Sequence, residues 1–134
     1  MQVNAPLILQ LLQQRLPHVL AVYAFGSQVD GNATADSDLD LAVLVEGYVD
    51  VVDLWDISGD IADAINGDVD LLDFRAATTV MQYQILSKGQ RWFARDSSVD
   101  CYEATLLSAM TALNEARAGV LADIREEGSI YGKR

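Results

Sequence analysis

Three carboxylates and a glycine-serine pair carry the chemistry this chain is able to do. Gly26-Ser27 is followed by ten residues and then by Asp38-Leu39-Asp40, with a further acid at Asp70. Leu39-Asp40-Leu41-Ala42-Val43-Leu44-Val45 is short and apolar enough to predict a strand. Side chains two apart on a strand share a face, so Asp38 and Asp40 are directed to the same side. At roughly 4 Å two such charges repel by about 1 kcal/mol in water and about 4 kcal/mol at the effective dielectric near a protein surface. A divalent cation with oxygen ligands relieves that repulsion, and Mg²⁺ is the first choice.

The apolar run Val19-Leu20-Ala21-Val22-Tyr23-Ala24-Phe25 leads directly into Gly26-Ser27. A strand, a glycine and the first turn of a helix together offer backbone N–H groups to an anion, with the partial positive charge of the helix start behind them. Glycine lets a phosphate approach, and the Ser27 hydroxyl can hydrogen-bond a phosphate oxygen. Taken alone, the pair is an ordinary turn, and Asp36-Ser37-Asp38 can equally be a turn that leaves Asp40 on a wet face. The other acid narrows the choice. If Val69 and Leu71 face inward, Asp70 faces the opposite side and completes a three-carboxylate group wherever its strand neighbours that of Asp40. Asp73 has the other parity, although a shift in alignment keeps it as an alternative third acid.

Three carboxylates, two metal ions and a cradled triphosphate describe nucleotidyl transfer. In that scheme Asp38 and Asp40 ligate metal, while Asp70 ligates the ion on the nucleophile side and can take the hydroxyl proton. His18 is a poor general base, since it precedes the first strand at the end away from Gly26.

The elements that must position these groups are legible in outline. Asn4 caps a short helix that tolerates Pro6 in its first turn and ends before Pro17. From Asp50 to Asn66 the pattern is helical, with Val51, Leu54 or Trp55, Ile61 and Ile65 inward and Asp53, Asp56, Asp60 and Asp63 outward. Val69 to Phe74 reads as a third strand, Thr78 caps a helix running to Lys88, and Trp92-Phe93 suggests an edge strand. Residues 99–127 carry apolar residues at helical spacing. The expected class is α/β (α+β): a small mixed sheet flanked by helices, with a long C-terminal helix. Residues 1–97 are expected to form the catalytic domain and 98–134 a helical extension and tail of the same unit.

The chain has 134 residues, 51% of them apolar, and a formal charge of −11. Residues 1–74 hold 13 acids against one base, Arg15, whereas residues 75–134 hold 7 acids against 8 bases. That imbalance disfavours docking to nucleic-acid phosphates and favours a basic protein partner. Cys101 is the only cysteine, so no internal disulfide forms and a reducing compartment fits. Polar residues interrupt the first twenty positions, and no apolar run reaches the ~18 residues of a membrane span, so the expected location is the cytoplasm.

Tyr23-Ala24-Phe25-Gly26-Ser27, the ten-residue spacer, Ser37-Asp38-Leu39-Asp40-Leu41-Ala42-Val43-Leu44 and Asp68-Val69-Asp70-Leu71-Leu72-Asp73-Phe74 resemble the minimal nucleotidyltransferases of the polymerase-β superfamily. The resemblance spans residues 7 to about 95. It implies a polymerase-β-type fold, ATP as substrate with two Mg²⁺ ions, nucleotide binding at Gly26 and Ser27, and metal-ligating catalytic roles at Asp38, Asp40 and Asp70. Many such proteins look like antitoxins paired with a HEPN ribonuclease toxin, in a type VII-like module, which they neutralise by binding or by adding AMP to a toxin tyrosine. The alternatives are a non-catalytic antitoxin and transfer to a small molecule or to RNA. Members often carry arginines just after Gly-Ser, where this chain has Gln28-Val29-Asp30, so fewer cations surround the triphosphate.

Overall fold

A computed structural model describes residues 3–26 and 38–126, with side chains described through residue 113. The chain divides into two units, residues 1–100 and 101–134. In the first, helix α1 (Ala5–Arg15) precedes strands β1 (Val19–Phe25) and β2 (Leu39–Val45). Helix α2 (Val51–Ile65), strand β3 (Val69–Asp73), helix α3 (Thr79–Lys88) and strand β4 (Gln90–Ala94) follow. The long helix α4 (Ser98–Glu126) begins at the end of this unit and makes up the described part of the second. The turn expected after Ser27, its loop and the expected tail at 128–134 lie outside the described residues.

The helix starts follow from side chains that accept orphan backbone donors. Asn4 Oδ1 accepts from Leu7 N at 3.2 Å, and Thr78 Oγ1 accepts from Met81 N at 3.2 Å. At the end of α2, Asn66 adopts the left-handed conformation, φ 53°, that closes many helices.

The four strands lie in the order β3-β2-β1-β4. β1 is antiparallel to both β2 and β4, and β2 is parallel to β3. A parallel neighbour cannot be reached by a hairpin, and α2 supplies the crossover. One face of the sheet meets α1 and α2 in a core built on Ile8, Leu12, Val22, Leu41, Ile57 and Ile61. On the other face Tyr23 stacks on Phe74 with ring centroids 5.3 Å apart.

The expected inward side of α2 needs correction. Ile57, Ile61 and Ile65 are the buried residues, Leu54 packs against the core, and Val51 and Trp55 are each 77% exposed. At about 100° per residue, Trp55 lies about 120° round the helix from Ile61, too far to reach the same sheet.

Candidate active site

The site is assembled where the ends of β1, β2 and β3 meet. Leu39 and Leu41 are buried in the helix-covered core, so Asp40 between them emerges on the opposite face. Val69 and Leu71 likewise leave Asp70 on that side. In the parallel ladder Asp40 is the register partner of Asp70, and in the antiparallel ladder it is the partner of Phe25. The β2–β3 pair therefore carries two carboxylates abreast, and the β1–β2 pair brings Phe25, the residue next to Gly26, opposite one of them.

Gly26 has φ +82°, and a Cβ built at this position would overlap the Asp40 carboxylate. Its backbone thus lies directly against that acid, an approach open only to glycine. Asp38 is exposed just ahead of β2.

These placements are felt electrostatically. Partial burial, then the Asp70 charge, then the Asp38 charge raise the Asp40 carboxyl above its ordinary value of 3.8. The structure thus brings Gly26 and Asp70 to Asp40, with Asp38 near enough for its charge to act on Asp40. Ser27 lies outside the described residues.

Asp73 is placed elsewhere. It is 5% exposed, and its carboxylate accepts from Val49 N at 2.8 Å and from Arg75 N at 3.1 Å. Both oxygens are engaged in holding the chain after β2 and the turn after β3, and Arg75 Nε donates to Val45 O at 2.7 Å beside them. Sequence parity separated Asp73 from the other acids, but only these contacts give it an occupation of its own. His18 is exposed in the turn ahead of β1, at the far end of that strand from Gly26.

The donor set suits a hard divalent ion: carboxylate oxygens whose mutual repulsion already disfavours the ionised state of Asp40. Among the described residues no group of three or more acid, histidine or cysteine side chains is arranged to hold a metal ion, so Asp38, Asp40 and Asp70 do not close into a three-carboxylate metal cluster by themselves.

Comparison with known proteins identifies a family and several relatives. The family described as polymerase beta, nucleotidyltransferase, matches residues 7–98. The chain is 29% identical over 123 residues to the protein adenylyltransferase MntA of Shewanella oneidensis, covering 92% of this chain and 88% of that protein. A crystal structure of a toxin-antitoxin with AMP-PNP superposes with a TM-score of 0.78 at 28% identity, over 92% of this chain and 99% of that one. A structure of the tri-AMPylated Shewanella oneidensis HEPN toxin in complex with MNT antitoxin gives a TM-score of 0.71 at 27% identity, over 91% and 96% of the two chains.

Proposed function

Because this chain belongs to the polymerase-β nucleotidyltransferase family, we propose that it is a Mg²⁺-dependent protein adenylyltransferase. It transfers AMP from ATP to a hydroxyl, a tyrosine side chain, of a cognate HEPN ribonuclease toxin, and so acts as the antitoxin of a type VII-like module in the cytoplasm. The observation that carries this reading is the in-register pair Asp40 and Asp70, with Asp38 adding charge and Gly26 against Asp40. A relative named as a protein adenylyltransferase, and a structural neighbour solved in complex with a tri-AMPylated HEPN toxin, support the choice of acceptor. Residues 1–97 serve as the catalytic domain and 98–134 as its helical extension and tail.

Asp38, Asp40 and Asp70 would hold Mg²⁺, two ions in the full complex. Bound there, the metal supplies charge neutralisation for the triphosphate and its leaving group. Gly26 admits the phosphates to the backbone, and Ser27 donates its hydroxyl to a phosphate oxygen. The acceptor oxygen attacks the α-phosphorus, forming the new P–O bond as the bond to the bridging oxygen breaks and pyrophosphate departs. Asp70 receives the acceptor's proton. Most of the rate enhancement then comes from positioning and from stabilising charge as it develops.

The test is incubation with ATP labelled at the α-phosphate, Mg²⁺ and its cognate HEPN ribonuclease toxin. Label should enter the partner and be lost in Asp38→Asn/Asp40→Asn; label persisting in that double variant sinks the assignment. A second reading, neutralisation by binding alone, draws on the −12 charge of residues 1–74. Undiminished neutralisation by the same double variant would favour it.

A further inference from the structure

A cleft of about 640 Å³ runs between the outward side of α2 and β3, an edge strand of the sheet. Trp55 and Gly59 line it from the helix, and Val69 and Asp70 from the strand. The Ser58 hydroxyl donates to the Val69 carbonyl at 2.8 Å, which ties the two walls together. Asp70 thus belongs both to the carboxylate group and to the cleft.

Two independent features of α2 point to an occupant. The first is apolar: Val51 and Trp55, which line the cleft from the first turns of the helix, are each 77% exposed, and Val52 and Tyr48 next to them in sequence are exposed as well. Exposed apolar side chains scattered singly are ordinary, whereas a contiguous group marks an interaction surface. The second is Gly59, one turn beyond Trp55. A glycine inside a helix weakens it relative to any ordinary residue. A Cβ at Gly59 would meet nothing within 4 Å, so no contact in the described protein asks for glycine there. Close approach of another chain's backbone would.

Charge selects the occupant. Asp56, Asp60, Asp63 and Asp68 flank the cleft, and α2 carries no lysine or arginine. Arg15 reaches over from α1 to pair with Asp60. A second copy of the chain would bring the same −12 half, and a nucleic acid its phosphates, so both are repelled. A basic protein segment is attracted.

We propose that this cleft docks the acceptor protein. A segment bearing lysine or arginine around an apolar or aromatic anchor lays the anchor on Trp55 and its backbone across Gly59, bringing the acceptor hydroxyl to Asp70. The assignment rests on the reading that the chain modifies a protein hydroxyl, and it adds the surface that selects that protein.

The experiment measures binding of the HEPN-type partner to the full chain by calorimetry, alongside ATP binding and AMP incorporation. Trp55→Ala should weaken partner binding by roughly 30-fold, the effect of an interface hot spot. Gly59→Met, placed in open space, should raise the melting temperature of the isolated chain by a few degrees while weakening partner binding by about tenfold or more. ATP affinity should be unchanged in both, and wild-type partner affinity should fall as salt is raised. Variants that bind and label the partner like wild type overturn the cleft alone. A wild-type chain that binds no partner overturns the cleft together with the reading beneath it.

Discussion

The backbone at Gly26 is pressed against the carboxylate of Asp40, so closely that a methyl group at position 26 would overlap Asp40 Oδ2. A loop end and a strand 14 positions later in the chain are thereby made into one surface. Asp40 in turn stands beside Asp70 in the parallel ladder.

Gly26→Ala should therefore fail twice. The left-handed φ of +82° disfavours any L side chain by about 1–2 kcal/mol, and the new methyl must displace Asp40. Chemical denaturation should show a loss of at least that size. AMP transfer should drop by about 100-fold, the scale of an ångström's misplacement. A variant with wild-type transfer would show that the Gly26–Asp40 contact is dispensable.

The raised pKa of Asp40 makes a signed prediction about stability without divalent ions. Burial and the charges of Asp70 and Asp38 lift the folded-state value above 3.8. Its contribution to stability is consequently fully present below the unfolded value and is lost as pH rises through the folded one. Asp40→Asn cannot ionise, so its urea midpoint should gain on wild type as pH goes from about 4 to about 7 in chelator. Mg²⁺ should narrow the gap by stabilising the ionised wild type. A difference independent of pH would contradict the electrostatic account.

Asp70 and Asp73 should separate activity from stability. Asp73→Ala removes the buried carboxylate that accepts from the half-buried Val49 N–H and should cost about 1–3 kcal/mol. Asp70→Asn, at an exposed position, should leave the denaturation midpoint nearly unchanged and remove AMP transfer. Loss of transfer per folded molecule in Asp73→Ala, with Asp70→Asn active, would exchange their roles.

Stripping divalent ions should lower transfer by about 10³-fold or more, since metal stabilisation of phosphoryl charge is worth several kcal/mol. Added Mg²⁺ should restore it where a monovalent salt of equal ionic strength does not. Transfer that survives chelation would remove metal from the mechanism.

The core of Ile57, Ile61 and Ile65 offers a check on the fold itself. Ile61 has no exposure, and Ile61→Ala should cost about 2–5 kcal/mol. Truncating Trp55 on the outward side of the same helix should cost the isolated chain far less, because its side chain is already in water. Equal losses would mean the inward side of α2 has been misplaced.

Local information sufficed for most of the elements. An apolar run bounded by Pro17 and Gly26 marked β1, capping residues Asn4 and Thr78 marked two helix starts, and the parity of Asp40 and Asp70 put both on one face. The inward side of α2 was harder, because its first turns carry apolar residues on more than one side. Leu54 and Ile57 turn to the sheet while Val51, Val52 and Trp55 turn to water, and periodicity cannot rank two apolar stripes.

What the sequence determined by itself was the set of carboxylates and the side of each strand they occupy, because side-chain alternation is a property of the extended backbone alone. Which strands became neighbours was decided only in three dimensions. Pairing β2 with β3 across the α2 crossover set Asp40 abreast of Asp70, and the bend at Gly26 closed on the same point. The acidic cluster depends on contacts between segments 14 and 30 residues apart, and such contacts are chosen by burial of the sheet and helices as a whole.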